Sequence, residues 1–321
     1  MVSLSKIRDT IKSQSNLKFI MKAYNLLTIL AIGSIAIFSS CTKADYGDVV
    51  TKGDPPPVPG GFVNSSGVAT SNLIAYWDFN DNKKETKSGT APIKDSNSSY
   101  EKGIKGDGLH LSKGYLLYPT IAALSSANAL SSCSVSLWMK IANNGSTFSE
   151  FFTLARDTSV ESDWLSIINM GVETGQSVSN SFIDLHTWIG TYPSGRRNGG
   201  DNINDYGNVG VDYQTVSNSG AWIHYVMRYD AASENIDLFA NSVRVSNNNF
   251  RNRKGLGPIV SPTPTQVVLG AFSNTSSQFS HSGTLSFHGL LNGSMDELRV
   301  YNKALTDVEI SALYQLEKQG R

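Results

Sequence analysis

The feature that most constrains this chain lies near its C-terminus, in Gly289-Leu-Leu-Asn-Gly-Ser-Met-Asp-Glu-Leu-Arg-Val-Tyr-Asn-Lys-Ala-Leu-Thr-Asp-Val-Glu-Ile-Ser-Ala-Leu-Tyr314. It reads as a loop, a strand and a short capped helix. The strand, Ser294 to Tyr301, divides its side chains between two faces, with Asp296, Leu298 and Val300 on one and Met295, Glu297, Arg299 and Tyr301 on the other. Thr306 is placed to cap the free N–H groups of the helix, and Glu309, three residues on, to reach back and complete a capping box. Leu305 before the cap and Ile310 at the fourth helical position supply a hydrophobic staple.

The rest of the chain repeats short apolar runs between turn signals rich in Gly, Ser and Asn, with little helix-type periodicity. That profile predicts an all-β, two-sheet antiparallel sandwich. Its 321 residues allow one large β domain or two small ones, and no internal repeat is visible. Only two cysteines occur, Cys41 and Cys133. Cys133 falls in the alternating run Cys133-Ser-Val-Ser-Leu-Trp-Met-Lys140, where period two puts Cys133, Val135, Leu137 and Met139 on the core face. Trp138 points the other way, as a packing residue behind the sheet.

Several of these segments, in this order, resemble laminin-G-like, concanavalin A-like jelly-roll domains. The resemblance begins at the first strand, Asn72-Leu-Ile-Ala-Tyr-Trp-Asp-Phe-Asn80, and continues through a polar loop from Lys83 to Ser99. It includes a hairpin over Gly106 to Tyr118 and the Cys133 strand, after which 151–155, 164–168 and 181–188 read as further strands. Next come Ala221-Trp-Ile-His-Tyr-Val-Met-Arg-Tyr-Asp230 and the hairpin Asn235 to Val245, with Asn241-Ser242 at its turn. Gln266 to Ala271 and the closing stretch complete it. The resemblance implies one jelly-roll domain over residues 72–316, with a tail at 317–321. Residues 190–220 exceed what a minimal member needs and read as elaborated loops.

Ahead of the domain, residues 1–41 form a leader. Lys22 precedes an uncharged run from Leu26 to Phe38, which ends in Phe38-Ser-Ser-Cys41. That ending resembles a bacterial lipobox, which makes Cys41 the expected lipidated residue and Met21 a candidate natural start. Residues 42–71 follow as a tether containing Pro55-Pro-Pro-Val-Pro-Gly-Gly61. The expected address is the cell envelope, at the outer membrane of a Gram-negative bacterium, with membrane contact through the lipid alone. The leader holds Lys6, Arg8, Lys12, Lys18 and Lys22 against Asp9, so of 27 basic and 27 acidic residues, 22 and 26 remain beyond it. A mildly acidic domain has no basic footprint for nucleic acid.

Three kinds of site follow. In related jelly-roll proteins a structural calcium ties the first strand to the last, and the matching acids are Asp78 and Asp296. Glucanases of the laminarinase type carry Glu-x-Asp-x-x-Glu. The nearest echo is Glu161-Ser-Asp163-Trp-Leu-Ser166, which lacks the last carboxylate, so hydrolysis is not expected. The histidines are scattered, and His224 reads as structural. Carbohydrate binding leads: Trp164, Trp188, Tyr192, Arg196, Arg197, Asn198, Asp201 and Tyr206 concentrate aromatic rings and polar groups that suit sugar faces and hydroxyls. The expected partner is a glycan or glycoprotein, bound without turnover. The rival readings are a protein-binding adhesin or accessory lipoprotein and a divergent glycoside hydrolase.

Overall fold

Strands with apolar side chains on one face need a second layer to cover that face. Here a single hydrogen-bonded sheet supplies both layers by folding back on itself. The computed structural model describes residues 56–156, 164–176 and 179–321. The leader, Cys41, the start of the tether, Glu161 and Asp163 lie outside the described residues.

The first strands are β1 (Leu73–Trp77), β2 (Lys94–Lys102), β3 (Asp107–Leu117), β4 (Cys133–Lys140) and β5 (Ser149–Arg156). Then come β6 (Ile168–Val172), β7 (Phe182–Ile183), β8 (Leu185–Thr191), β9 (Asn198–Ile203) and β10 (Val216–Ser217). The last are β11 (Trp222–Asp230), β12 (Asn235–Ala240), β13 (Val243–Arg244), β14 (Thr265–Leu269) and β15 (Leu291–Tyr301). The helices are α1 (Asn248–Arg251) and α2 (Asp307–Lys318).

The sheet runs β13-β12-β11-β4-β15-β3-β14-β5-β6-β8-β9, with β1 also on β15 and β2 on β3. All the pairings are antiparallel. Strand β3 turns the corner, because Leu109–Gly114 pair with β15 while Leu116 and Leu117 pair with β14. The inward side chains of both layers form one core, in which Val135, Leu137, Met139, Tyr225 and Met227 meet Leu154, Ile168, Met170, Leu185 and Ile189. Thr187 Oγ1 and Tyr225 Oη hydrogen-bond across the interior at 2.7 Å. At the open end, the Asn202 amide of β9 donates to Ile236 O and Asn247 O, at 3.2 and 3.1 Å, which joins the last strand to β12 and the turn beyond it. The result is the expected all-β jelly-roll sandwich.

The outer face of the β11-β4-β15-β1 layer is sealed by α2. The capping box is present: Thr306 Oγ1 accepts from Glu309 N and Glu309 reaches back to Thr306 N. Leu305, Ile310, Leu313 and Leu316 are buried against Val226, Phe239 and Tyr301. Residues 56–71, expected as part of a flexible tether, pack here as well. Val58 and Val68 join this cluster, and Ser65 is buried and donates to Arg321 O at 2.8 Å. Likewise Glu317 belongs to the helix and is wholly buried, not part of a tail.

Beneath α2 lies a polar cluster that is buried apart from the half-buried Tyr76. Arg299 donates through Nε to Glu317 Oε1 at 2.8 Å, pairs with Glu297, and covers the Tyr76 ring at 4.1 Å. Glu317 Oε2 accepts from the Trp138 indole at 2.8 Å, and Tyr76 Oη donates to Glu297 at 2.7 Å. His224 Nε2 meets Ser136 Oγ at 2.8 Å, and burial lowers its pKa to about 3. Trp138 and His224 are thus packing residues, as read from the sequence.

A β-bulge makes the cluster possible. Asp296 faces Trp138 and Arg299 faces Ser136, so two residues of β15 oppose one of β4, and Glu297 takes φ +50°. The bulge breaks the expected strict alternation: Met295 joins Leu298 and Val300 in the core, while Glu297, Arg299 and Tyr301 face α2.

Other differences are local. The Gly106–Tyr118 segment is not a hairpin by itself. Strand β3 pairs residue by residue with β2, whose polar sequence Lys94-Asp-Ser-Asn-Ser-Ser-Tyr-Glu-Lys102 carries no apolar alternation to announce a strand. Trp164 lies in a loop, and the strand begins only at Ile168.

Truncating Glu317 leaves the Arg299 guanidinium and the Trp138 N–H buried without their partner. Glu317→Ala is expected to cost about 3–5 kcal/mol in urea unfolding, the range for breaking one side of a buried ion pair. A loss below about 1 kcal/mol would show that α2 is held by its apolar contacts alone.

Candidate functional site

Among the described residues, no helix covers the outer face of the second layer. On β8, Leu185, Thr187 and Ile189 point inward, so His186 and Trp188 point out, with Asn169 of β6 and Asp201 of β9 beside Trp188. Around them gathers an aromatic cluster. Trp188 meets Trp164 edge-on at 5.8 Å and Phe148 at 5.2 Å, and Trp164 meets Phe272 and Phe287, each at 5.3 Å. Trp164 and Trp188 are half-buried and Phe287 is exposed, so part of each ring faces solvent. His288, whose Nδ1 accepts from Leu285 N and meets the Asn274 amide nitrogen, is pushed by burial down to about 4 and anchors the loop that bears Phe287.

His186 joins the aromatic and polar parts. Its ring lies 3.6 Å from that of Trp188, with Nδ1 at 2.7 Å from Glu173 and Nε2 at 3.2 Å from Asp201. Both nitrogens face carboxylates, which favours the form in which both donate, an imidazolium tilted at 35° to the indole. Burial works to lower its pKa, but the hydrogen bonds to Asp201 and Glu173 outweigh burial and raise it. Burial likewise works to raise Asp201, and the His186 bond with the Arg253 charge holds it below the usual carboxylate range.

Two clefts open here. One, about 230 Å³, is lined by Trp188, Arg197, Gly199, Gly200 and Asp201. The other, about 240 Å³, is lined by Asn198, Gly199, Asn252, Arg253, Lys254 and Leu256. Arg197 is braced by backbone carbonyls, with Nη2 donating to Ile189 O at 3.1 Å. Arg253 donates to the carboxylate and carbonyl of Asp201.

The structure therefore brings together Trp164, Trp188, Arg197, Asn198 and Asp201 of the expected set. Tyr192 is a correction: it lies just past the end of β8, where its N–H donates to Val260 O at 2.9 Å, and it is 7% exposed and belongs to the core. Arg196 is exposed but lines neither cleft, and Tyr206 packs on Phe250 at 5.6 Å. Sequence reasoning missed His186, Glu173 and Arg253. Period two on Leu185-His-Thr-Trp188 carries a signal for His186 alone.

Asp78 and Asp296 are not gathered into a calcium site among the described residues. Asp296 Oδ2 accepts from Ile104 N and Lys105 N at 2.8 and 3.0 Å, and Oδ1 from Glu297 N at 2.7 Å. A side chain at Gly103 would collide with that carboxylate. Asp78 Oδ1 accepts from Asn80 N at 3.2 Å, inside its own turn. Calcium needs six to eight oxygen ligands, and among the described residues no group of three or more His, Cys, Asp or Glu side chains is placed to hold a metal.

A third cleft, about 390 Å³, lies by the two-stranded sheet of β7 and β10 and is lined by Phe182, Asp184, Asp205, Val209, Tyr213 and Val216, with Thr215. Its two carboxyls hydrogen-bond to each other, and burial followed by the Asp205 charge pushes Asp184 up to about 7. Carboxyls in direct contact are closer than the roughly 5 Å of a retaining glycosidase pair and leave no room for the anomeric carbon. Ser166, where the glucanase motif needs its last acid, is buried with its hydroxyl against that of Ser273.

Comparison with known proteins agrees with this architecture. Residues 113–311 match the family model described as the concanavalin A-like lectin/glucanases superfamily. No curated protein matches the chain. Among solved structures, domain 4 of AbnA, a GH43 extracellular arabinanase from Geobacillus stearothermophilus in complex with arabinotriose, is 19% identical with a TM-score of 0.47, over 76% of this chain and 98% of that one. The binding domain of Paraclostridial Mosquitocidal Protein 1 is 12% identical, TM-score 0.47, over 76% and 52%. The ligand binding domain of botulinum neurotoxin serotype D, in complex with N-acetylneuraminic acid, is 12% identical, TM-score 0.47, over 78% and 52%. The match thus spans about half the length of these toxin domains.

The raised pKa of His186 ties stability to pH. Its ion pairs contribute fully below the unfolded histidine value of about 6.5 and are lost as pH rises through the higher folded value. A histidine NMR titration is expected to place the His186 midpoint above about 6.5, and His186→Gln to lower the Tm more at pH 5.5 than at pH 9. A midpoint at or below the reference value would remove the imidazolium from the site. Because amides already occupy Asp78 and Asp296, EDTA is expected to leave the Tm unchanged, and a clear drop would restore a metal there.

Proposed function

This chain belongs to the concanavalin A-like lectin/glucanases superfamily, and from that premise we propose that it binds carbohydrate without turning it over. One observation carries the reading: Trp188, half exposed and backed by Trp164 and the His186 ring, forms the wall of a cleft whose other lining groups are Arg197, Asp201 and two glycines. A sugar presents an apolar C–H face and a rim of hydroxyls. An indole suits the first, and a guanidinium donor beside a carboxylate acceptor suits the second. The glycines keep the backbone low, so a ring can approach the indole. The proposal extends to an envelope lipoprotein anchored through Cys41, supported by the leader and its Phe38-Ser-Ser-Cys41 ending.

A second reading, a protein ligand, is favoured by one feature: the rim of the third cleft exposes Phe182 and Val209, at 52% and 57%.

A glycan-array screen of the full-length chain separates the two. Binding to a defined glycan set is expected, and Trp188→Ala is expected to weaken it about tenfold, or about 1.4 kcal/mol, with the Tm retained. A blank array from folded protein would favour the protein ligand.

A further inference from the structure

The cleft at Asn252–Leu256 has no role in the site as read above, yet it opens onto it. Gly199 lines both clefts, and a Cβ there would displace the Arg197 guanidinium from its present position. The passage between them crosses β9, the last strand of the sheet path.

The chemistry of the two clefts together is lopsided. Their charged lining residues are Arg197, Arg253 and Lys254 against Asp201 alone, in a chain whose basic and acidic residues balance at 27 each. Asp201 is already committed to Arg253 and His186. The nearby acid Glu234 accepts from Gly255 N and Gly257 N, at 2.8 and 3.0 Å, and so holds the turn that presents Lys254. Among the described residues Arg197 donates only to carbonyls, and Lys254 is exposed with no carboxylate beside it. Uncompensated guanidinium and ammonium groups attract anions, and guanidinium pairs with carboxylate or sulfate through several N–H donors at once. Neutral hydroxyls would require no such excess.

We propose that this second cleft is a subsite for an acidic substituent, a carboxylate or a sulfate ester, on the glycan whose ring lies against Trp188. The inference rests on the carbohydrate-binding reading. The ligand then spans at least two sugar units across β9, one stacked and one held by charge.

The test measures binding of the full-length chain to three tetrasaccharides: maltotetraose, which is neutral, tetragalacturonate, whose only anions are carboxylates, and a κ-carrageenan tetrasaccharide, whose only anions are sulfate esters. At low salt one of the acidic pair is expected to bind at least about tenfold more tightly than the neutral one, and which of the two does so identifies the anion. The preference should shrink as salt shortens the screening length. Lys254→Glu, at an exposed position, is expected to remove most of the preference and leave maltotetraose binding unaltered, whereas Trp188→Ala should weaken every ligand. Equal binding of all three, or an acidic preference that survives Lys254→Glu, overturns the subsite while the carbohydrate reading stands. No binding by any of them overturns both.

Discussion

The buried guanidinium of Arg299 is the point on which the closing of this fold depends. A charge removed from water is tolerable only if several partners surround it. Here they come from distant parts of the chain: Glu297 on its own strand, Glu317 on the last helix, Ser65 ahead of the first strand and the Tyr76 ring on it. Apolar contacts under α2 could be made in several registers. A guanidinium that must meet two carboxylates cannot, so the helix has one seat. The bulge at Asp296 and Glu297 serves this arrangement, since without the extra residue Glu297 and Met295 could not face opposite layers.

That closure leaves the two layers of the sandwich unequal. One outer face is consumed by α2 and the segment from Val58 to Val68. Among the described residues, the other carries no helix but a cluster of rings and charged groups, including the half-buried Trp188 and Trp164 and the buried His186. This asymmetry gives the concanavalin A-like scaffold of this chain its direction.

Legibility in the sequence followed the origin of each signal. The capped helix and strands β4 and β11 were written locally, in Thr306 with Glu309 and in alternation such as Val135, Leu137 and Met139. Strand β2 was not, since its polar residues become a strand only through pairing with β3. The bulge escaped period-two reading because a single left-handed residue, Glu297, shifts the phase. Within the site, Trp188, Arg197 and Asp201 stood out as a concentration of rings and polar groups, whereas Tyr192, equally prominent, lies past the end of β8, where alternation no longer applies, and is buried in the core. Arg253 and Lys254 lie about fifty residues further along, and only the meeting of β9 with the turn after α1 makes them neighbours.

The bond from Arg253 to the carbonyl of Asp201 also bears on what this molecule does not stick to. Strand β9 ends the sheet, and a terminal strand with open carbonyls and amides invites pairing with a strand from another molecule. Arg253 occupies the Asp201 carbonyl and lays a charged side chain along that border. The residue that shapes a pocket for ligand thus also occupies a backbone acceptor that a strand added at this border would need, so Arg253 serves the sheet edge as well as the cleft.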